Sequence, residues 1–348
     1  MTPKNDRNGI LFISSTPTAL CTVRERFALH AQRVILHCGD FLAFHKIPKA
    51  AKKQKVSNTD VTQWRRDQVK TIRRKARKGL NLIRGCLKQC EEILKTPVLL
   101  IDVHWITNPA ADGWTGHQLH VDDAHRRRLL GKFELNDPGD YLEGHVRDDG
   151  SGNNLKFKNG TVIADGLLRT FEIVFVIDDP IEAFPTVYKD VLKKLRSQGG
   201  NMANVTSLPE DVMAATGCRL AARFRWIQDL YYWTLNESNL HRAPKPIIAD
   251  KANLHNLAGG NLKRLCAELG FSEEVVPLKI IKQLEENEAS KREAMREVVE
   301  TLGLQGQDIG LQKCEWEREL GQAAANMLEQ AITAARPIYH RLRARMLT

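Results

Sequence analysis

Residues 57–95, SNTDVTQWRRDQVKTIRRKARKGLNLIRGCLKQCEEILK, constrain this chain more than any other stretch. Val61, Trp64, Ile72, Ala76, Gly79, Ile83, Leu87, Cys90 and Leu94 recur every three or four residues, the spacing that gathers side chains on one face of a helix. Ser57 followed by Asp60 resembles a capping box, and Pro97 marks where the pattern must stop. A helix of that length, rising ~1.5 Å per residue, reaches roughly 55 Å. Arg65, Arg66, Lys70, Arg73, Arg74, Lys75, Arg77, Lys78, Arg84 and Lys88 lie along it, almost unopposed by acids before Glu91. The stretch reads as a basic rod with one apolar seam.

The charge is unevenly placed along the chain. Of its 348 residues, 52 are Lys or Arg and 42 are Asp or Glu, a net charge of +10. Residues 1–100 hold 21 of those cations and 7 of the anions, which is +14, leaving 31 against 35, or −4, for the remainder. A basic amino-terminal third predicts a polyanionic partner, because cations that neutralise phosphates release condensed counterions. DNA or RNA is the expected partner, held by its backbone through Lys52, Lys53, Lys55, Arg65, Arg66, Lys70, Arg73, Arg74, Arg77, Lys78 and Arg84. Only Trp64 interleaves an aromatic ring with these cations, so stacking of single-stranded bases is not expected. The alternatives are a solvated helix whose charge confers solubility and a basic surface that meets an acidic protein. A membrane surface fits less well, since the seam has few large residues to insert.

Hydrophobic residues make up 42% of the chain and charged residues 27%, the balance of a soluble globular protein. No apolar run approaches the ~20 residues of a membrane span, and MTPKNDRNG lacks the pattern of a signal peptide. Seven scattered cysteines argue against a disulfide framework and for a reducing, cytoplasmic setting. Cys86 and Cys90, four apart on the basic helix, are expected as buried seam residues rather than as a metal-binding pair.

Strands are expected near 10–14, 34–38, 98–106 and 171–178, where short apolar runs are bounded by turn residues. Between the first two, Ser14-Ser15-Thr16 forms a hydroxyl-rich turn before a helical stretch. Its amides and hydroxyls suit a phosphate at a helix N-terminus, but the turn contains no glycine, so helix capping is the favoured role. Residues 39–56 are basic and aperiodic and read as a loop leading into the rod. Residues 108–160 form a long polar insertion rich in glycine. Beyond Gly199-Gly200 every periodic segment reads as helix. The sequence therefore predicts an α+β N-terminal domain over residues 1–200, a small mixed sheet with the basic helix packed across it, followed by an α-helical domain over residues 201–348.

Four arrangements carry candidate chemistry or recognition. His104, His117, His120, Asp122 and His125 are the densest set of potential ligands, and a divalent metal held there would make the chain a metal-dependent nuclease. Their spacing matches no standard metal motif, and a polar loop is the plainer reading. Alternation along a strand places Asp102 beside His104, where a carboxylate can orient an imidazole. A histidine pair with a tyrosine nucleophile is disfavoured, because His117 and His120 would face opposite sides of a strand. Tyr231 is accordingly expected in the core and Tyr188 at the surface. Residues 261–284 have the outline of a helix-turn-helix, but Glu273, Glu274 and Pro277 in its second helix favour an ordinary helical hairpin.

Overall fold

The computed structural model describes residues 9–32, 35–40, 44, 46–54, 64–107, 159, 161, 163, 165–197, 207–241, 244–255, 261–272 and 309–346. The described residues hold a five-stranded sheet and a larger number of helical residues. The strands are β1 (Gly9–Ser14), β2 (Ile35–Asp40), β3 (Thr96–Asp102), β4 (Phe171–Ile177) and β5 (Ile247–Asp250), in the order β2-β3-β1-β4-β5. β1 pairs in parallel with β3 and with β4, and β2 in parallel with β3. All six residues of β1 and all seven of β4 are buried. This explains why GILFIS and FEIVFVI read as nearly continuous apolar runs: a parallel strand is covered on both faces.

The chain divides into two compact units. The first comprises Met1–Leu20, Arg33–Val176 and Arg225–Ile248, and the second Cys21–Gln32, Ile177–Phe224 and Ala249–Thr348. In the first, α1 begins at Pro17 (Pro17–Arg26), and α2 (Lys46–Lys53) and α3 (Arg66–Glu92) occupy the crossover from β2 to β3. Two expectations are corrected here. Residues 46–53 are helix rather than loop, since Ile47 and Ala50, one turn apart, are buried together and tertiary packing supplies what propensity does not. The basic helix spans 66–92, not 57–95, and Ser57 and Asp60 lie outside the described residues. Its N-terminus is held instead by Gln68, whose Oε1 accepts from the Arg65 N–H at 2.8 Å while its Nε2 donates to the Gln54 carbonyl at 2.9 Å.

Of the expected seam, Trp64, Ile72, Ala76, Ile83, Leu87 and Cys90 are buried, joined by Leu80, whereas Leu94 is exposed and Val61 lies outside the described residues. Gly79 is in the seam because nothing larger fits: a Cβ there would stand 2.5 Å from Phe44 Cε1. The helix ends in a Schellman arrangement. The Leu94 N–H reaches the Glu91 carbonyl at 3.2 Å, and the Lys95 N–H reaches Cys90 at 2.9 Å. Gly270 closes a later helix in the same way at φ +70°, but Leu94 does so at φ +53° with its side chain 93% exposed. The left-handed backbone is strained there and no packing offsets it. Cys86 is disulfide-bonded, while Cys90, one turn on, is a buried free thiol whose ionisation burial opposes. The scattered-thiol reading is corrected to that extent.

α4 (Val103–Ile106) follows β3 directly, so the strand expected through 106 stops at Asp102. α5 (Asp165–Arg169) precedes β4, and β4 is followed by α6 (Pro180–Arg196) in the second unit. Asp179 caps α6 by accepting from the Ile181 N–H at 3.0 Å, with Pro180 in the first turn, where its missing N–H costs nothing. Tyr188 is fully buried, not at the surface, and its hydroxyl accepts from the Leu208 N–H at 3.3 Å. α7 (Glu210–His241) contributes residues to both units. α8 (Lys251–His255) and α9 (Asn261–Leu269) come next, and the second half of the helix-turn-helix outline lies outside the described residues. α10 (Ile309–Leu320) and α11 (Gln322–Arg343) complete the chain.

β5 corrects the expectation of helix alone beyond residue 201. Its four residues are too short to show a period, and only the sheet reveals them. Its last residue, Asp250, is buried and anchors α11. It accepts from Tyr339 Oη at 2.7 Å and from the Ala252 N–H at 2.9 Å, and pairs with Arg343 Nε at 3.2 Å. Burial, reinforced by the Asp250 charge, pushes the Tyr339 phenol well above its ordinary value.

Three outcomes follow. Gly79→Ala should destabilise by roughly 1–3 kcal/mol through overpacking, and Leu94→Gly should stabilise by about 1 kcal/mol by relieving the left-handed strain; urea titration measures both. The raised phenol means that the unfolded state releases the Tyr339 proton first. Stability should therefore fall as pH rises above about 10, and Tyr339→Phe should flatten that slope in a pH series of denaturation midpoints.

Candidate functional site

The order β2-β3-β1-β4-β5 sends the chain from β1 to one side of the sheet, past β3 to β2, and from β3 to the other side, past β1 to β4. Connections leaving the C-terminal ends of β1 and β3 thus diverge. At such a switch point an open parallel sheet has a crevice in which ligands bind.

The residues at this crevice belong to the first unit. Ser14 ends β1, in register with Asp102 of β3 and Val176 of β4. The ladder continues one step further, with the Ser15 N–H donating to the Val176 carbonyl at 3.0 Å. Ser14, Ser15 and Thr16 are fully buried. Ser14 Oγ has no hydrogen-bond partner, and Thr16 Oγ1 lies 3.0 Å from Thr18 Oγ1. Pro17 opens α1, whose first turn carries no acid. Hydroxyls and the positive end of the helix dipole therefore converge at this turn, with the Asp102 carboxylate in register on the neighbouring strand. The turn thus stands at the switch point, where helix capping remains the role expected of its hydroxyls.

Asp102 ends β3, fully buried, and caps α4 by accepting from the His104 backbone N–H at 2.8 Å. The carboxylate thus sets the turn that carries His104, a contact different from the side-by-side strand arrangement expected. His104 is half-buried and stacks on Trp226 of α7, with ring centroids 5.8 Å apart and planes 13° from parallel. Trp226 has no local signal in the sequence, since only the fold brings residue 226 to residue 104. Both ends of the long polar stretch return here: Thr107 bridges Thr161, and Asn159 Nδ2 donates to Asp165 Oδ1 at 2.5 Å and to the Ile163 carbonyl at 2.8 Å.

Of the proposed metal ligands, His104 is at this crevice, while His117, His120, Asp122 and His125 lie outside the described residues. Among the described residues no group of three or more His, Cys, Asp or Glu is arranged to hold a metal. Of the cations, Lys53, Arg65, Arg66, Lys70, Arg74, Arg77 and Lys78 are exposed and Arg84 is half-buried. Lys55 lies outside the described residues, as do the side chains of Lys52 and Arg73. Arg65 already holds Asp67 at 3.1 Å, and this pairing draws the Asp67 carboxyl below its ordinary value. No helix among the described residues is long and apolar enough to cross a membrane.

Comparison with known proteins gives one consistent likeness. A protein named sulfotransferase ppzF from Metarhizium rileyi (strain RCEF 4871) is 24% identical over 208 residues, which cover 54% of this chain and 56% of that protein. A protein of the same name from Metarhizium majus (strain ARSEF 297) matches with the same figures. The chain spans about half the length of the curated relatives it matches. No protein-family description matches the chain. No solved structure matches it.

These relatives overturn the expectation of a DNA- or RNA-binding protein, together with the nuclease and nucleoprotein-subunit alternatives, because the named likeness is to a group-transferring enzyme. The physical reason is plain. Net charge reports attraction to anions in general, and an exposed cationic helix face serves solubility as well as recognition.

Asp102→Ala should cost roughly 0.5–2 kcal/mol through the lost cap, whereas Asp102→Asn, which retains a capping oxygen, should lose much less. Urea denaturation compares the two.

Proposed function

We propose that this chain transfers a sulfuryl group from an anionic donor to a hydroxyl acceptor at the crevice beside β1 and β3. The observation that carries the proposal is the turn after β1. Ser14 Oγ is buried without a partner at the switch point, next to the N-terminus of a helix with no acid in its first turn. The likeness to proteins named sulfotransferase supports sulfur as the centre transferred.

Sulfuryl transfer requires a good leaving group, so the donor suited to this turn is a phosphosulfate, a mixed anhydride whose phosphate takes the place of an ordinary phosphate ligand. The Ser14 hydroxyl and the N-terminal end of α1 would hold the phosphate and absorb the charge it gains, the Ser15 amide being engaged with the Val176 carbonyl. The acceptor oxygen forms a bond to sulfur as the bridging S–O bond breaks, and that electron pair leaves on the donor's phosphate oxygen. The acceptor's proton goes to the His104 imidazole, whose turn Asp102 fixes and whose ring Trp226 supports. A half-buried imidazole on a rigid turn suits a general base.

The test is transfer of radiolabelled sulfur from a nucleoside phosphosulfate to a panel of hydroxyl compounds by the full chain. Labelled sulfate ester is the expected product. Ser14→Ala should weaken donor binding by about tenfold, the loss expected for one hydrogen bond to an anion, and His104→Ala should lower kcat by roughly 10²–10⁴. The absence of both transfer and calorimetric binding of the donor would refute the proposal.

A further inference from the structure

The outer face of α3 joins charge of one sign to exposed apolar side chains. Residues 66–95 hold ten Lys or Arg against Asp67, Glu91 and Glu92, a local charge of +7, and no acid falls between Asp67 and Glu91. Lys70, Arg74, Lys78 and Lys88 are exposed. Solubility asks only for charges of mixed sign, whereas one sign crowded on a single helix repels itself. Charge alone, however, names no partner.

The apolar side chains supply the second feature. Leu82 is 55% exposed, Ile93 46% and Leu94 93%. Leu82 and Ile93 are eleven residues apart, which sets them within about 20° of one line along the helix and ~17 Å apart on its axis. Lys78 and Gly85 stand about one turn to either side of Leu82. A Cβ at Gly85 would meet nothing within 4 Å, so packing does not demand glycine there as it does at Gly79. Two costs in stability thus fall on the same outward surface: a glycine where alanine would serve, and at Leu94 a left-handed leucine where glycine would serve.

A soluble polyanion would engage the cations and leave Leu82, Ile93 and Leu94 in water. A pocket on a protein gathers apolar groups at one point, whereas these are strung along a line. A bilayer with anionic headgroups offers phosphates to the cations and an acyl boundary to the apolar side chains, over a plane that the flat spot at Gly85 lets the helix approach. We infer that α3 docks this protein on an anionic lipid surface, lying along the interface with Leu82, Ile93 and Leu94 inserted. The seam, which has few large residues to insert, is buried in the fold, so the exposed side of the helix is the one that meets lipid. The inference is independent of the sulfuryl-transfer reading.

The test is sedimentation of the full chain with vesicles of phosphatidylcholine alone and of equal parts phosphatidylcholine and phosphatidylserine. The mixed vesicles should retain the protein, the neutral ones should not, and added salt should release it. Arg74→Gln with Lys78→Gln should weaken retention by about thirtyfold, roughly fivefold for each cation removed. Leu94→Gly should weaken it about fivefold. The same variant should melt no lower than wild type, since it also relieves the left-handed backbone, so a fold defect cannot account for the loss. Leu82→Gln, at an exposed helical position, should weaken retention likewise and decides the point if L94G does not fold. No retention on the mixed vesicles, equal retention on both, or retention untouched by the glutamine pair overturns the inference. So does retention that the glutamine pair abolishes while L94G and L82Q leave it unchanged, which assigns the face to a soluble polyanion such as an acidic protein.

Discussion

Everything described here depends on β1 being paired on both sides. A strand flanked by parallel neighbours and covered on both faces must satisfy its amides and carbonyls through the two ladders alone, because water cannot reach them. Where those ladders end, the polar groups that follow become available together. Ser14 is the last β1 residue in register with both Asp102 and Val176, and the turn of Ser15 and Thr16 begins there. The hydroxyls at this point are therefore a consequence of sheet geometry as much as of local sequence. Apolar residues there would bury orphaned amides at a helix N-terminus with nothing to meet them.

The same geometry explains why Asp102 and His104 take different roles from those a regular strand would assign. β3 ends one residue after Ile101, and the carboxylate of Asp102 turns the backbone into α4 by capping it. His104 then projects from a helical turn rather than from a pleat, and it meets Trp226 from a segment more than a hundred residues away in sequence. The general base proposed at His104 would need a fixed position and partial shelter from water, and cap and ring supply one each.

α3 illustrates the limit of arguing from charge. Its buried seam follows the period except at the exposed Leu94, and Gly79 is explained by Phe44. Its described cations are exposed or half-exposed, which is where their desolvation cost is least whatever their purpose. Exposure of this kind distinguishes a soluble face from a binding face only when a second feature points to a ligand. At the β1 turn such a feature exists, in the unpartnered Ser14 hydroxyl.

Local patterning alone was enough to determine the first four strands, the seam of the basic helix and the hydroxyl turn, because hydrophobic period and turn chemistry act over a few residues. Patterning also singled out Asp102 and His104 as neighbours. It could not find β5, whose four residues have no period, nor the burial of Tyr188, which depends on the distant Leu208 amide. Strand order, and with it the switch point at which Ser14–Thr16 stand, arises from pairing between segments far apart in the chain. The stacking of Trp226 on His104 has the same origin. Such contacts are set by which surfaces can be buried against each other at once, a condition that only the folded chain satisfies.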